Sequence, residues 1–125
     1  MKEVRMTRSS LEEYRSLIRE TRAEDLRLRA LALEAERLKE EEARREAEEY
    51  RREIEKNLVR CTLICGAVQK FINGIESSRL RRIFTMYYIY GWSWQKIAFE
   101  IGSHCEGTPR NLHRRFLERS FPDER

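Results

Sequence analysis

Apolar residues recur at steps of three and four through most of this chain, the spacing that lines one face of an α-helix. No glycine or proline precedes Gly66, so the usual helix terminators are missing from the first half. Ser9 with Glu12 and Ser10 with Glu13 make two overlapping S-x-x-E boxes, which predict a helix start there. The run Leu26 to Leu33 alternates like a strand, but it holds no β-branched residue and sits among Glu and Arg, so helix is expected. A thin seam passes through Leu28, Leu31, Ala35 and Leu38, shifts phase, and resumes at Ala43, Ala47, Tyr50 and Ile54, continuing through Leu58, Cys61, Cys65 and Val68 to Ile72. Between the two stretches Glu40, Arg44, Glu48 and Arg52 form an i,i+4 charge ladder that supports a helix with little packing. One helix from Ser10 to Asn73 would be roughly 95 Å long at 1.5 Å per residue. It must pair as a coiled coil with another chain, bend back near Lys39–Glu42, or stand in solvent. Asn73-Gly74 is expected to end it through a left-handed cap.

Beyond that point the pattern shortens. Ser77 or Ser78 is expected to cap a helix reaching Tyr90, with Leu80, Ile83, Phe84, Tyr87 and Tyr88 inward and Tyr90 toward the surface. Gly91 suits the positive φ of a tight turn. Ser93 caps Trp94–Ile101, whose inner side is Trp94, Ile97, Ala98 and Ile101, and small Ala98 allows the next helix to approach closely. Thr108 as N-cap and Pro109 as first helical residue open the last helix, which turns Leu112, His113, Phe116, Leu117 and Ser120 inward. The fold class expected is all-α: a long, coiled-coil-like N-terminal helix, then a three-helix helix-turn-helix domain. The division predicted is 1–58, a charged arm for oligomerisation or a partner surface, and 59–125, a DNA-binding domain.

Charge sharpens this division. Residues 1–60 hold 16 basic and 16 acidic side chains, whereas 61–125 hold 10 against 6, so the net +4 sits in the second half. A basic excess on the short helices points to a polyanion partner. No apolar stretch approaches the ~18–20 residues of a membrane span, and the start lacks the apolar core of a secretory signal. Three cysteines, an odd number, fit a reducing cytoplasm, which is the expected location. Cys61, Cys65, His104 and Cys105 match no common zinc spacing, and the i,i+4 cysteines on a seam read as core. No nucleophile, base and acid set or phosphate loop is visible, so neither an enzyme nor a cofactor is expected.

The chemistry lies on the last helix. Its outward arc is Arg110, Asn111, Arg114, Arg115 and Glu118. A recognition helix offers its N-terminal outward residues to base edges, arginine pairing with guanine and asparagine with adenine. Arg110, Asn111 and Arg114 are therefore the base-contact candidates. Arg115 and Arg119, nearer the core edge, together with Arg79, Arg81, Arg82, Lys96 and Thr108, are the phosphate candidates.

Ile89, Gly91, Ser93, Trp94, Ile97, Ala98 and Gly102 fall at the spacing of an I-x-G-x-S-W-x-x-I-A-x-x-x-G run. In these residues the stretch 71–119 resembles small phage and prophage regulators whose C-terminus is like region four of bacterial sigma factors. The resemblance implies double-stranded DNA binding in phage gene control, with host RNA polymerase as a further partner. Two other readings fit the same pattern. One is a small terminase-like packaging subunit; the other is a phage protein-interaction module that inhibits a host or defence protein.

Overall fold

The computed structural model describes residues 6–122. It is helical, with no strand among the described residues: α1 (Arg8–Leu38), α2 (Glu41–Asn73), α3 (Ser78–Phe84), α4 (Trp94–Glu100) and α5 (Gly107–Ser120). No helix among those residues is long and apolar enough to cross a membrane.

The single long helix expected from the pattern is two helices, of 31 and 33 residues. They part at Lys39, which takes a left-handed φ of 56°. Glu40 then accepts from the Arg44 N–H at 3.0 Å, and Glu41 and Glu42 follow in the first turn of α2, where acidic side chains meet the positive end of the helix dipole. No glycine marks this break. A lysine in that conformation is tolerated at a cost of ~1–2 kcal/mol, which the packing of the two helices offsets.

The chain divides into two compact units. One, Leu17–Ile64, folds the later part of α1 back on the earlier part of α2. Its buried stripe runs through Ile18, Thr21, Leu28, Ala32 and Ala35 of α1, with Ala47 from α2. Leu31, Leu38 and Leu58, which the pattern places on the seam, are exposed. Alanine holds three of these six buried positions, and the neighbouring leucines are turned to solvent. An ion pair between Arg51 and Glu36 spans the two helices.

The other unit joins residues 6–16, near the start of the chain, to residues 65–122. The start, grouped with the arm in the sequence pattern, supplies fully buried Leu11 to a cluster with Val68, Ile72, Ile75, Phe84, Tyr88 and Leu117. A second cluster gathers Ile83, Met86 and Ile97 with Trp92, Trp94 and Leu112 around it. Burying such side chains is worth ~1.5–3 kcal/mol each, so these clusters dominate the stability of the unit.

Several boundaries differ from expectation for local reasons. The first helix starts earlier than Ser9 or Ser10: Thr7 Oγ1 accepts from the Ser10 N–H at 3.0 Å while Ser10 Oγ accepts from the Thr7 N–H at 2.7 Å, a reciprocal box with serine in the place of glutamate. Asn73 does end α2, but Gly74 is not left-handed; tight bonds from Gly74 N to Phe71 O and Ile75 N to Ile72 O close the turn. Ser77 caps α3, as expected. After Phe84 the helix widens into a π-helical turn over Thr85–Ile89, with Tyr90 N–H bonding Thr85 O five residues back. The widening begins where the Thr85 hydroxyl donates to the Arg81 carbonyl at 2.8 Å.

Candidate nucleic-acid interface

Three short helices position the surface in question, and two glycine turns set their angles. Gly91 and Gly102 both have positive φ, 72° and 78°. At the second, Ser103 N–H reaches back to Ala98 O at 2.8 Å and Gly102 N–H to Phe99 O at 3.1 Å, closing α4. Ser93 Oγ accepts from the Lys96 N–H and fixes the start of α4. Ala98 is buried beside Ile97, consistent with the close packing of α4 and α5.

The last helix begins two residues before the position expected from Thr108 and Pro109. It opens at Gly107 with no side-chain cap, and Thr108 lies in its first turn, half-buried, donating its N–H to Cys105 O at 3.2 Å. Pro109 is accommodated because first-turn N–H groups have no intrahelical partner to lose. It is buried.

His113 and Leu117 hold α5 against the core, and Leu112 and Phe116 pack partly. Ser120, expected inward, is exposed. Burial pushes the His113 imidazole down to about 4, with the charges of Arg8 and Arg15 acting the same way. Burial also raises the Tyr88 phenol above its usual range, helped by Glu12. Both groups are therefore neutral near pH 7. Tyr88 Oη lies 2.5 Å from His113 Nε2, so the neutral phenol and the neutral imidazole share one buried hydrogen bond. Trp94 stacks flat on Tyr87 at 4.1 Å, and its centroid is 4.9 Å from the His113 ring. These contacts fix the rotation of α5 about its axis.

That rotation exposes Arg110, Asn111, Arg114, Arg115, Glu118 and Arg119. Arg110 bonds Glu106 at 2.7 Å, and Arg114 Nη2 lies 3.5 Å from Asn111 Oδ1. The three base-contact candidates thus share the first turns of one exposed face. Arg115 and Arg119 line an open cleft of about 480 Å³ with Leu80, Leu112 and Glu118. Arg81 and Arg82 line a different cleft, with Tyr90, Trp92 and Glu100. Arg81 is committed there: its Nη1 donates to the carbonyls of Ile75 and Glu76 at 2.6 and 2.8 Å. Arg79 and Arg82 are exposed, and exposed Lys96 holds its Nζ 4.1 Å above the Trp92 ring. The phosphate candidates are therefore divided between the two clefts and the faces beside them.

Two residues carry more than their sequence context suggests. Arg15 lies over the Tyr87 ring at 4.0 Å and donates from Nε to Tyr87 O at 3.0 Å, tying the chain start to the π-helical turn. Nothing local in a charged helix distinguishes it. Phe99 is 81% exposed. That position was legible, since at 100° per residue Phe99 lies off the Trp94, Ile97, Ala98, Ile101 arc. Among the described residues no three His, Cys, Asp or Glu side chains gather as a metal site requires.

Comparison with protein-family profiles, with curated proteins and with solved structures finds no match to this chain.

Proposed function

We propose that this chain binds double-stranded DNA as a phage-type transcriptional regulator in the bacterial cytoplasm, with α4 and α5 acting as a helix-turn-helix and α5 in the major groove. The observation that carries the reading is the division of α5: one face locked by His113 and Leu117, the other presenting Arg110, Asn111 and Arg114 near its start. A major groove about 12 Å wide admits such a helix, and arginine and asparagine are the side chains that read guanine and adenine there. Arg115 and Arg119, farther along, meet phosphates. Glu106 holds Arg110 in the unbound protein and releases it to a base edge on docking.

Substitutions within α5 test the reading. Arg110→Ala or Arg114→Ala is expected to cost ~1–3 kcal/mol at a preferred site and flatten preference at particular bases. Arg119→Ala should weaken all duplexes alike and lower the salt slope by about one contact. Equal losses on every sequence from all three would show that α5 does not read bases.

Phe99 favours a second reading. An aromatic 81% exposed on α4 fits a protein contact, to host RNA polymerase or to an inhibited host or defence protein. Absence of duplex binding, together with a protein complex that Phe99→Asp dissolves, would establish it instead.

A further inference from the structure

Within the Leu17–Ile64 unit, α1 carries a second apolar line that its own hairpin does not use. Thr21, Leu28 and Ala35 are buried at seven-residue steps. Ala23, Leu26, Ala30 and Leu33 each lie two residues from one of these, which is about 200° around the helix and so on its far side. All four are exposed, Leu26 at 70% and Leu33 at 68%. Their spacing of three, four and three is a heptad seam over two repeats, with alanine at every a position and leucine at every d.

We propose that a second copy of this chain docks on this line, antiparallel, α1 against α1. Two features select that occupant. In an antiparallel pair each a position meets a d position, so Ala23 faces the partner's Leu33 and Leu26 faces the partner's Ala30. Every layer then sets one small side chain against one large, and the seam is complementary to itself. Charge selects the same direction. Residues 34–49, around the turn, hold eight acidic and four basic side chains; 17–29 and 51–64, at the other end, hold eight basic and five acidic. An antiparallel copy lays each acidic turn beside the other's basic end, whereas a parallel copy stacks like on like. Two heptads bury an area at the low end of specific interfaces, below about 1,200 Å² in total, so the dimer is weak and half-formed at tens of micromolar, roughly. The inference stands apart from DNA binding, because no residue of α5 takes part.

Sedimentation equilibrium of the full chain from about 5 to 500 µM tests it. The expected result is a rise from monomer to dimer mass. Leu26→Glu with Leu33→Glu should raise the dissociation constant at least about 30-fold, with helicity and melting midpoint kept, since both side chains are exposed in the monomer. Orientation is read separately. In a Cys105→Ser background, Ala23→Cys and Leu33→Cys chains are mixed and oxidised with copper phenanthroline, and the disulfides are mapped by peptide mass. Mixed 23–33 disulfides should exceed 23–23 disulfides about tenfold. A monomer at every concentration, a dimer indifferent to the double substitution, or dominant 23–23 coupling would each overturn the proposal.

Discussion

The two units of this protein are held together by different physics. The unit built from the chain start and residues beyond Cys65 buries large side chains, Tyr88, Phe84, Leu11, Ile72 and Leu117 among them, and interlocks aromatic rings. The Leu17–Ile64 unit buries alanine at three of its six buried positions, Ala32, Ala35 and Ala47, and leaves leucines in solvent, with i,i+3 and i,i+4 ion pairs along its surface. Exposed pairs of that kind add only ~0.2–1 kcal/mol each. Large interlocked side chains fix one arrangement and orient a surface; small ones bring helices together and leave apolar area unused. The first unit is thus suited to hold α5 in place, and the second to make further contacts.

Core truncation separates them most sharply. Phe84→Ala should cost ~3–5 kcal/mol, because the ring touches Phe71, Tyr88, His113 and Phe116. Leu11→Ala should cost ~2–5 kcal/mol in the same unit, although its fellow buried residues begin only at Val68 in the sequence. Both are read by urea unfolding. In the other unit Ala47→Gly should cost only about 1 kcal/mol, the usual helix penalty, since little side chain is lost. Equal losses from Phe84→Ala and Ala47→Gly would erase the distinction.

In the first unit acid should act through His113. Its folded value, about 4, lies below the ordinary 6.5, so the unfolded chain takes up the proton first. The stabilisation is fully present above about pH 6.5, falls as the pH drops toward 4, and is flat below that, a change of about 2–4 kcal/mol. His113→Gln should flatten this part of the stability profile; a profile unchanged by it would place the acid sensitivity elsewhere.

The smallest effect is expected at the turn between α1 and α2. Lys39→Gly removes the strain of a left-handed lysine and should stabilise the hairpin by up to about 1 kcal/mol, seen as a higher melting midpoint. A lower midpoint would mean the lysine side chain holds the turn.

Legibility followed the same division. Helical periodicity marked every helix, Ser77 and Ser93 were readable as caps, and the inward faces of α4 and most of α5 followed from 100° steps. The break at Lys39 was not readable beyond a change of phase, because left-handed lysine carries no residue signature and the hairpin packing that offsets its strain is tertiary. The π-helical turn was hidden for a related reason: it opens at a threonine whose hydroxyl bonds a carbonyl four residues back and is held by Arg15 from far along the chain. Leu11 and Arg15 looked like ordinary arm residues, since their partners lie far along the chain. For the candidate surface, the outward arginines of α5 were visible by spacing, whereas the commitment of Arg81 to the Ile75 and Glu76 carbonyls could not be.

The central claim, that the basic face of α5 meets duplex DNA, is tested most directly by binding of the full chain to random-sequence duplex across a salt series. With Arg79, Arg82, Lys96, Arg115 and Arg119 as exposed phosphate contacts, log K should fall with log salt at a slope of about −3 to −5. No binding at 50 mM salt, or binding whose slope is near zero, would contradict it.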